Sequence, residues 1–166
     1  MTYTEPYHLR RKDLVIGTEA EMLGVIKGQH YLTLAMSKDD KPYLVTLNYS
    51  FDPTRKCFYF HCARAGKKID MMSANPFVWG QVVEDIGYIE GECEYGYRSV
   101  MFEGRVTFLD DHSEKTNALE AMVESYERDP EKVKRQLIDE SSLEKVCIGR
   151  IQVLSMSGKE SLPTKK

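Results

Sequence analysis

Phe58-Tyr59-Phe60-His61-Cys62-Ala63-Arg64-Ala65-Gly66-Lys67-Lys68 carries an apolar strand into a turn of small residues and then into two lysines at a helix start. A helix N-terminus presents backbone N–H groups without partners and roughly half a positive charge, and adjacent ammonium groups add to it. That combination suits a phosphate. The other reading is a solvated face, although lysine is electrostatically unfavourable at a helix N-terminus unless an anion is present. The helix spans 67–74, because Asn75-Pro76 stops it: proline disfavours helix at the residue before it. Neither G-x-x-x-x-G-K-[ST] nor G-x-G-x-x-G occurs, which disfavours the common ATP and NAD folds.

Upstream of this stretch the pattern is β. Residues 30–36 are rich in aromatic and aliphatic side chains, 37–41 form a polar turn, and 42–51 alternate. Val45, Leu47, Tyr49 and Phe51 fall on one face of that strand, and Leu44, Thr46, Asn48 and Ser50 on the other. Asp52-Pro53-Thr54-Arg55-Lys56 is a turn, so the strands at 30–36, 42–51 and 57–62 are expected to form an antiparallel meander. Before them, Thr18-Glu19-Ala20-Glu21 has the capping-box form, Met22, Val25 and Ile26 share a helical face, and Gly28 is expected to close the helix in a left-handed conformation.

Downstream, 77–83 reads as a fourth strand. Residues 86–96, with three glycines and three glutamates, read as an exposed excursion before a fifth strand at 97–109. The spacing of Leu119, Met122, Val123 and Tyr126 predicts a helix over 113–127. Asp129 and Pro130 then supply the cap and first position of another. A sixth strand is expected at 147–156 and a fraying polar tail from 157 onward, most flexible at about 159–166. Strands that dominate the chain, with helices concentrated late, predict an α+β, mainly β fold: a six-stranded antiparallel barrel with peripheral helices.

The chain's 166 residues fit one domain. A formal charge of -3 gives no electrostatic reason to expect nucleic acid or anionic membrane as a partner. The start of the chain lacks the apolar segment of a secretory signal, and no stretch approaches the roughly 18 apolar residues of a spanning helix, so a cytoplasmic location is expected. Cys57, Cys62, Cys93 and Cys147 contain no C-x-x-C pair, so free buried thiols are expected and no metal site is assigned.

Tyr59-Phe60-His61-Cys62-Ala63, followed by Gly66-Lys67-Lys68 and Asn75-Pro76, resembles the signature of the FMN-binding split barrels, the pyridoxamine-phosphate-oxidase-like superfamily. Within it the chain is most similar to the nitroimidazole-resistance branch. Arg10-Arg11-Lys12-Asp13, the run from Pro42 to Asn48, and Tyr97-Arg98-Ser99-Val100 with Gly104 agree in order, so the likeness extends from about residue 10 to 158.

The resemblance implies a Greek-key split barrel and a homodimer with flavin mononucleotide (FMN) in the groove between subunits. It implies that Val45, Thr46, Leu47 and Asn48 lie along the isoalloxazine ring, with backbone groups at its polar edge. Phe60, His61, Cys62 and Ala63 would border the cofactor, Lys67 and Lys68 would hold its phosphate, and Ser99 would reach it from strand five. Arg98 either grips the phosphate, pairs with a carboxylate between Glu84 and Glu94, or points to solvent. His61 either exchanges a proton beside the reduced flavin or only orients the cofactor.

Thr46 stands where many relatives have proline and Cys62 where serine is common. Residues 157–166 lack the Trp- and Arg-containing tail of true pyridoxamine-phosphate oxidases, so vitamin B6 oxidation is not expected. The expected activity is an FMN-dependent oxidoreductase acting on a small planar acceptor, with NAD(P)H as a possible donor. A non-catalytic flavin or haem carrier or sensor is the alternative.

Overall fold

The computed structural model describes residues 10–163. A short 3-10 turn (Lys12–Leu14) leads to helix α1 (Glu19–Gly28), then strands β1 (Tyr31–Lys38), β2 (Lys41–Asn48), β3 (Ser50–Asp52) and β4 (Cys57–Cys62). Helix α2 (Lys67–Ala74) precedes the long strands β5 (Phe77–Ile89) and β6 (Glu94–Phe108). Helices α3 (His112–Tyr126), α4 (Pro130–Leu137) and α5 (Glu140–Lys145) follow, and β7 (Cys147–Ser161) closes the series. The capping box forms as the sequence implies, with Glu21 N–H donating to Thr18 Oγ1 at 3.2 Å and Thr18 N–H to Glu21 Oε2 at 3.1 Å. Gly28 is the last residue of α1 and is not left-handed. Extended backbone at Gln29 ends the helix instead.

All seven strands join one antiparallel sheet in the order β2-β1-β5-β6-β7-β4-β3. Strands β4 to β7 stand in the spatial order β5-β6-β7-β4, a Greek key whose crossing connection, from β4 to β5, runs through α2, while α3, α4 and α5 link the neighbours β6 and β7. The two outermost strands, β2 and β3, are separated by one residue, Tyr49. Two edges joined by one residue cannot lie far apart, so the sheet must curl until they meet. The single strand expected at 42–51 therefore serves both edges: β2 pairs with β1, while β3 pairs with β4. This break makes seven strands where six were expected, and it replaces the expected meander with two separate hairpins.

The interior is filled by Phe58, Phe60 and Phe102 among Leu32, Leu34, Val78, Val82, Val100 and Ile151, all nearly or fully inaccessible. Phe58 and Phe102 stack with centroids 4.4 Å apart. Glycine makes this packing possible, because a Cβ at Gly80 would overlap the Phe102 ring and one at Gly149 the Phe60 ring. A second cluster lies outside the barrel wall, where Cys57, Tyr59 and Ile148 meet Leu109, Ala118 and Met122 under α3.

Two other expectations change. The excursion at 86–96 is a continuation of the β5–β6 ribbon past a bulge between Asp85 and Gly87. Residues 157–161 are not a fraying tail but the end of β7, paired with β6 from Ser157↔Met101 to Ser161↔Tyr97. The polar composition that suggested fraying belongs to residues that are half-buried, or buried at Gly158, and held by pairing with β6. The expected flexibility of 164–166, and the reading of residues 1–9, lie outside the described residues. Among the described residues no helix is long and apolar enough to cross a membrane.

The seam at Tyr49 is closed from outside by the last residue of α3. Tyr49 N–H donates to the Tyr126 hydroxyl at 3.0 Å, and that hydroxyl in turn lies against the carbonyls of Tyr49 and, at 3.2 Å, His30. Tyr49's own hydroxyl donates to the Ile26 carbonyl at 2.6 Å. Replacing Tyr126 by Phe leaves the Tyr49 backbone groups without their partner, so we expect stability to drop by roughly 1–3 kcal/mol. Urea unfolding monitored by circular dichroism reads this as a lower midpoint, and an unchanged midpoint would show that water replaces the hydroxyl at no cost.

Candidate functional site

β2 pairs with β1 on one side only, so its other edge offers backbone N–H and C=O groups that no strand among the described residues takes up. Leu47 is buried and Val45 half-buried, both directed toward the core, whereas Thr46 and Asn48 are exposed. A ring laid along this edge would therefore meet backbone at Val45 and Leu47, and side chains at Thr46 and Asn48. Facing β2 across the split in the barrel is the C-terminal end of β4, where the chain turns into α2.

That turn is built to leave donors open. Gly66 has φ 131°, a conformation that disfavours any side chain, and as N-cap it has none with which to cap the helix. Its carbonyl accepts from Ile69 N–H at 2.9 Å and Asp70 N–H at 3.1 Å. The N–H groups of Lys67 and Lys68 find no acceptor among the described residues. Neither ammonium has a carboxylate partner there: Lys67 Nζ lies 4.2 Å above the Tyr43 ring, which ties the helix start to β2. Arg64 reaches the Glu144 carbonyl and so fastens the turn to α5.

The remaining candidates divide. His61 is exposed on the outer face of β4, and it shares a cavity wall with Asn48. Ala63 is exposed in the turn, while Phe60 is fully buried among core side chains and can offer a ligand only its backbone. Arg98 sits between two glutamates in register with it on neighbouring strands, with Nε 3.1 Å from Glu160 and Nη1 3.6 Å from Glu84. Of its three readings the ion pair is the one present, with a carboxylate just inside the expected stretch. Ser99 is buried, and its hydroxyl donates to the Lys159 carbonyl at 3.4 Å. β6 is three strands from β2, about 14 Å at the usual strand spacing, so Arg98 and Ser99 do not join the β2–α2 group within one chain. Among the described residues no group of three or more His, Cys, Asp or Glu side chains is disposed to hold a metal ion.

Reading the sequence missed Tyr43 as the platform for Lys67, α5 with its hold on Arg64, and Tyr126 as the seal of the seam. Tyr126 had the helical spacing of a core residue, but nothing local marked which backbone it would reach.

The family model described as pyridoxamine 5'-phosphate oxidase matches residues 18–160. The chain belongs to that family. Several solved structures repeat the fold. A protein named for 5-nitroimidazole antibiotic resistance, from Bacteroides thetaiotaomicron, is 24% identical, with 89% of this chain and 86% of that one covered and a TM-score of 0.74. An FAD-binding protein from Mesorhizobium loti is 27% identical over 87% of this chain and 96% of that one, with a TM-score of 0.64. A flavocytochrome from Azotobacter vinelandii reaches a TM-score of 0.76 at 15% identity, over 95% and 74% of the two chains. No curated protein matches the chain. These likenesses support the split-barrel resemblance read from the motifs.

Two of the thiols stand together at this site. Cys62 and Cys147 are directly opposite in the β4–β7 register, and all four cysteines are free. Burial, and then the neighbouring Cys147, push the Cys62 thiol up to about 11 from its ordinary 9.0, with Lys68 pulling the other way. Cys62 therefore stays a thiol at neutral pH. Of the four thiols expected to be buried, Cys57 alone is; Cys62 and Cys147 are half-buried at the end of the β4–β7 pairing, and Cys93, in the turn between β5 and β6, is exposed. Mass-spectrometric mapping after brief iodoacetamide treatment at pH 8 should find Cys93 labelled well before Cys62, and the reverse order would contradict this environment. Because the folded-state value is raised, the folded form holds its proton after the unfolded form has released it. Stability is thus expected to fall as pH rises from about 9 to about 11.

Proposed function

We propose that the protein is an FMN-binding homodimeric oxidoreductase whose cofactor lies in the split of the barrel, phosphate at the α2 N-terminus and ring along β2. The observation that carries this reading is the uncapped start of α2, with two ammonium groups that have no carboxylate partner among the described residues beside N–H groups that have no acceptor there. Such a donor set matches a dianion, and leaves little role for a neutral or cationic group. When bound, the flavin supplies hydride or single-electron transfer. The chain's part is to bind and orient: the free β2 edge provides donors and acceptors for the ring's polar rim, Thr46 and Asn48 lie beside it, and His61 is the exposed group able to give or take a proton.

The second subunit is part of this proposal. The outer face of the β2-β1-β5-β6 wall exposes Leu44 (63%), Phe77 (52%), Val83 (45%) and Met101 (42%). Several large apolar side chains exposed on one sheet face favour a covering partner. A second copy would cover it, and would bring the partner's β6 close to this chain's β2, the arrangement in which Ser99 could approach a ring that it cannot reach within its own chain. The acceptor in this reading is a small planar molecule. Vitamin B6 oxidation is not proposed, because residues 157–161 are engaged in the ribbon and supply neither Trp nor Arg to a pocket.

Purified protein should be yellow, with a flavin spectrum that bleaches on reduction. Replacing both Lys67 and Lys68 by Ala should weaken FMN binding by roughly 1.5–3 kcal/mol for each charge-assisted hydrogen bond removed, read by quenching of flavin fluorescence. An affinity equal to wild type would remove the phosphate from this turn. Leu44→Glu should convert the dimer to a monomer in light scattering and loosen FMN with it. A Leu44→Glu protein that remains dimeric would place the interface elsewhere.

A further inference from the structure

Cys62 ends β4, Cys147 begins β7, and the two are register partners, the last pair of the β4–β7 ladder. Residues directly opposite in an antiparallel pair have Cα atoms about 4.5–5.5 Å apart, inside the span of about 4.4–6.8 Å that a disulfide bridges. Their side chains share one face of the sheet, and Cβ atoms about 4.5–5.5 Å apart need to draw together by no more than about 1 Å for the bond to form. The pair closes its ladder, so the turn beyond it can give by that amount.

The environment sets the order of reaction. Burial raises both thiols, and a hydrogen bond between them raises Cys62 and lowers Cys147, which marks Cys62 as the donor. Lys68 of α2 acts on Cys62, and Lys115 of α3 and Arg64 of the turn act on Cys147, each favouring the thiolate, while Asp110 opposes it at Cys147. Cys147 is therefore the sulfur that ionises first. Both are half-buried, within reach of a small oxidant, whereas Cys57 is fully buried. Among the described residues no third His, Cys, Asp or Glu joins them to complete a metal site.

The pair stands at the base of the turn that presents the α2 start. Arg64, two residues beyond Cys62, reaches the Glu144 carbonyl of α5, three residues before Cys147. A hydrogen bond thus already ties the turn to the junction of α5 and β7, and a covalent bond beside it would fix that junction.

We propose that Cys62 and Cys147 are a redox modification site, at which a hydroperoxide converts the pair to an intrachain disulfide that clamps the turn at 63–66 to the start of β7. The Cys147 thiolate attacks one peroxide oxygen, the O–O bond breaks, and a sulfenic acid forms with release of hydroxide, which takes up the proton Cys147 gave up. The Cys62 sulfur then attacks that of Cys147, the S–O bond breaks, and the Cys62 proton leaves with the oxygen as water. Two thiols lose two electrons and two protons, and hydrogen peroxide becomes two waters. This site stands whether or not the turn binds a phosphate.

Protein carrying Cys93→Ser, which removes the exposed thiol, is treated at pH 8 with a few equivalents of hydrogen peroxide. Non-reducing peptide mapping should find Cys62 joined to Cys147, with the intact mass about 2 Da lower and restored by dithiothreitol. Closing so long a loop should raise the thermal midpoint by at least about 5 °C, a gain lost on reduction, and should slow amide hydrogen exchange across 63–66. With Cys62→Ser added, the sulfenic acid has no resolving thiol, and dimedone should trap it on Cys147; with Cys147→Ser added, Cys62 should be trapped at least tenfold less. Should either of these fold poorly, mapping of the Cys93→Ser protein, whose paired thiols are native, decides alone. The proposal is overturned by sulfinic or sulfonic products without the crosslink, by a crosslink that includes Cys57 or joins two chains, by equal trapping on Cys62 and Cys147, or by a crosslinked protein whose thermal midpoint and exchange are unchanged.

Discussion

The structure depends on a change of partner at Tyr49. On one side of this residue the chain pairs with β1, on the other with β4, and these lie at opposite ends of the sheet order. A residue that leaves one ladder before joining another has backbone groups that neither ladder satisfies, and buried backbone groups need partners. The Tyr126 hydroxyl meets both groups of Tyr49, and the Tyr49 hydroxyl is bonded to the end of α1. Burial raises the pKa of both phenols, so they remain neutral donors across the physiological range. The barrel can therefore close at a point and stay open along the rest of β2.

Everything functional follows from that partial closure. A fully closed barrel would have no free strand edge, and an open sheet would have no cleft between β2 and β4. The split supplies both, with the α2 start at one end and the cavity that Asn48 and His61 share at the other. Roughly 16 Å of strand separates Tyr43, which carries Lys67, from Asn48, which lines the cavity. An elongated cofactor with an anionic group at one end and a flat ring at the other suits such a cleft.

Much of this was legible in the residues. The capping box of α1, the bounds of α2 and the Asp129-Pro130 start of α4 were readable because each is decided by neighbours in sequence: a hydroxyl three residues from a carboxylate, a proline after an asparagine, a cap before a proline. The break at Tyr49 was not readable, since the alternation of Val45, Leu47, Tyr49 and Phe51 continues unbroken through it, and only the identity of the paired strands changes. The tail failed for a related reason. Ser157 to Ser161 are polar enough to fray, but β6 is long enough to pair with them. Within the site, Lys67, Lys68, Asn48 and His61 were recognisable by type and order, and they do border the split. Arg98 and Ser99 were selected by the same resemblance yet lie three strands away, because order along the chain carries no information on which side of a sheet, or in which subunit, a residue meets its ligand.

The proposed placement of the cofactor in the split rests on a phosphate held at the start of α2. Comparing the affinities of FMN and riboflavin, which differ only by that phosphate, tests it most directly, by titrating flavin fluorescence against stripped protein. Two charge-assisted hydrogen bonds predict FMN binding tighter by about a hundredfold or more. Equal affinities would mean that the phosphate makes no use of Lys67, Lys68 or the open N–H groups beside them, and the placement of the cofactor in the split would fall with it.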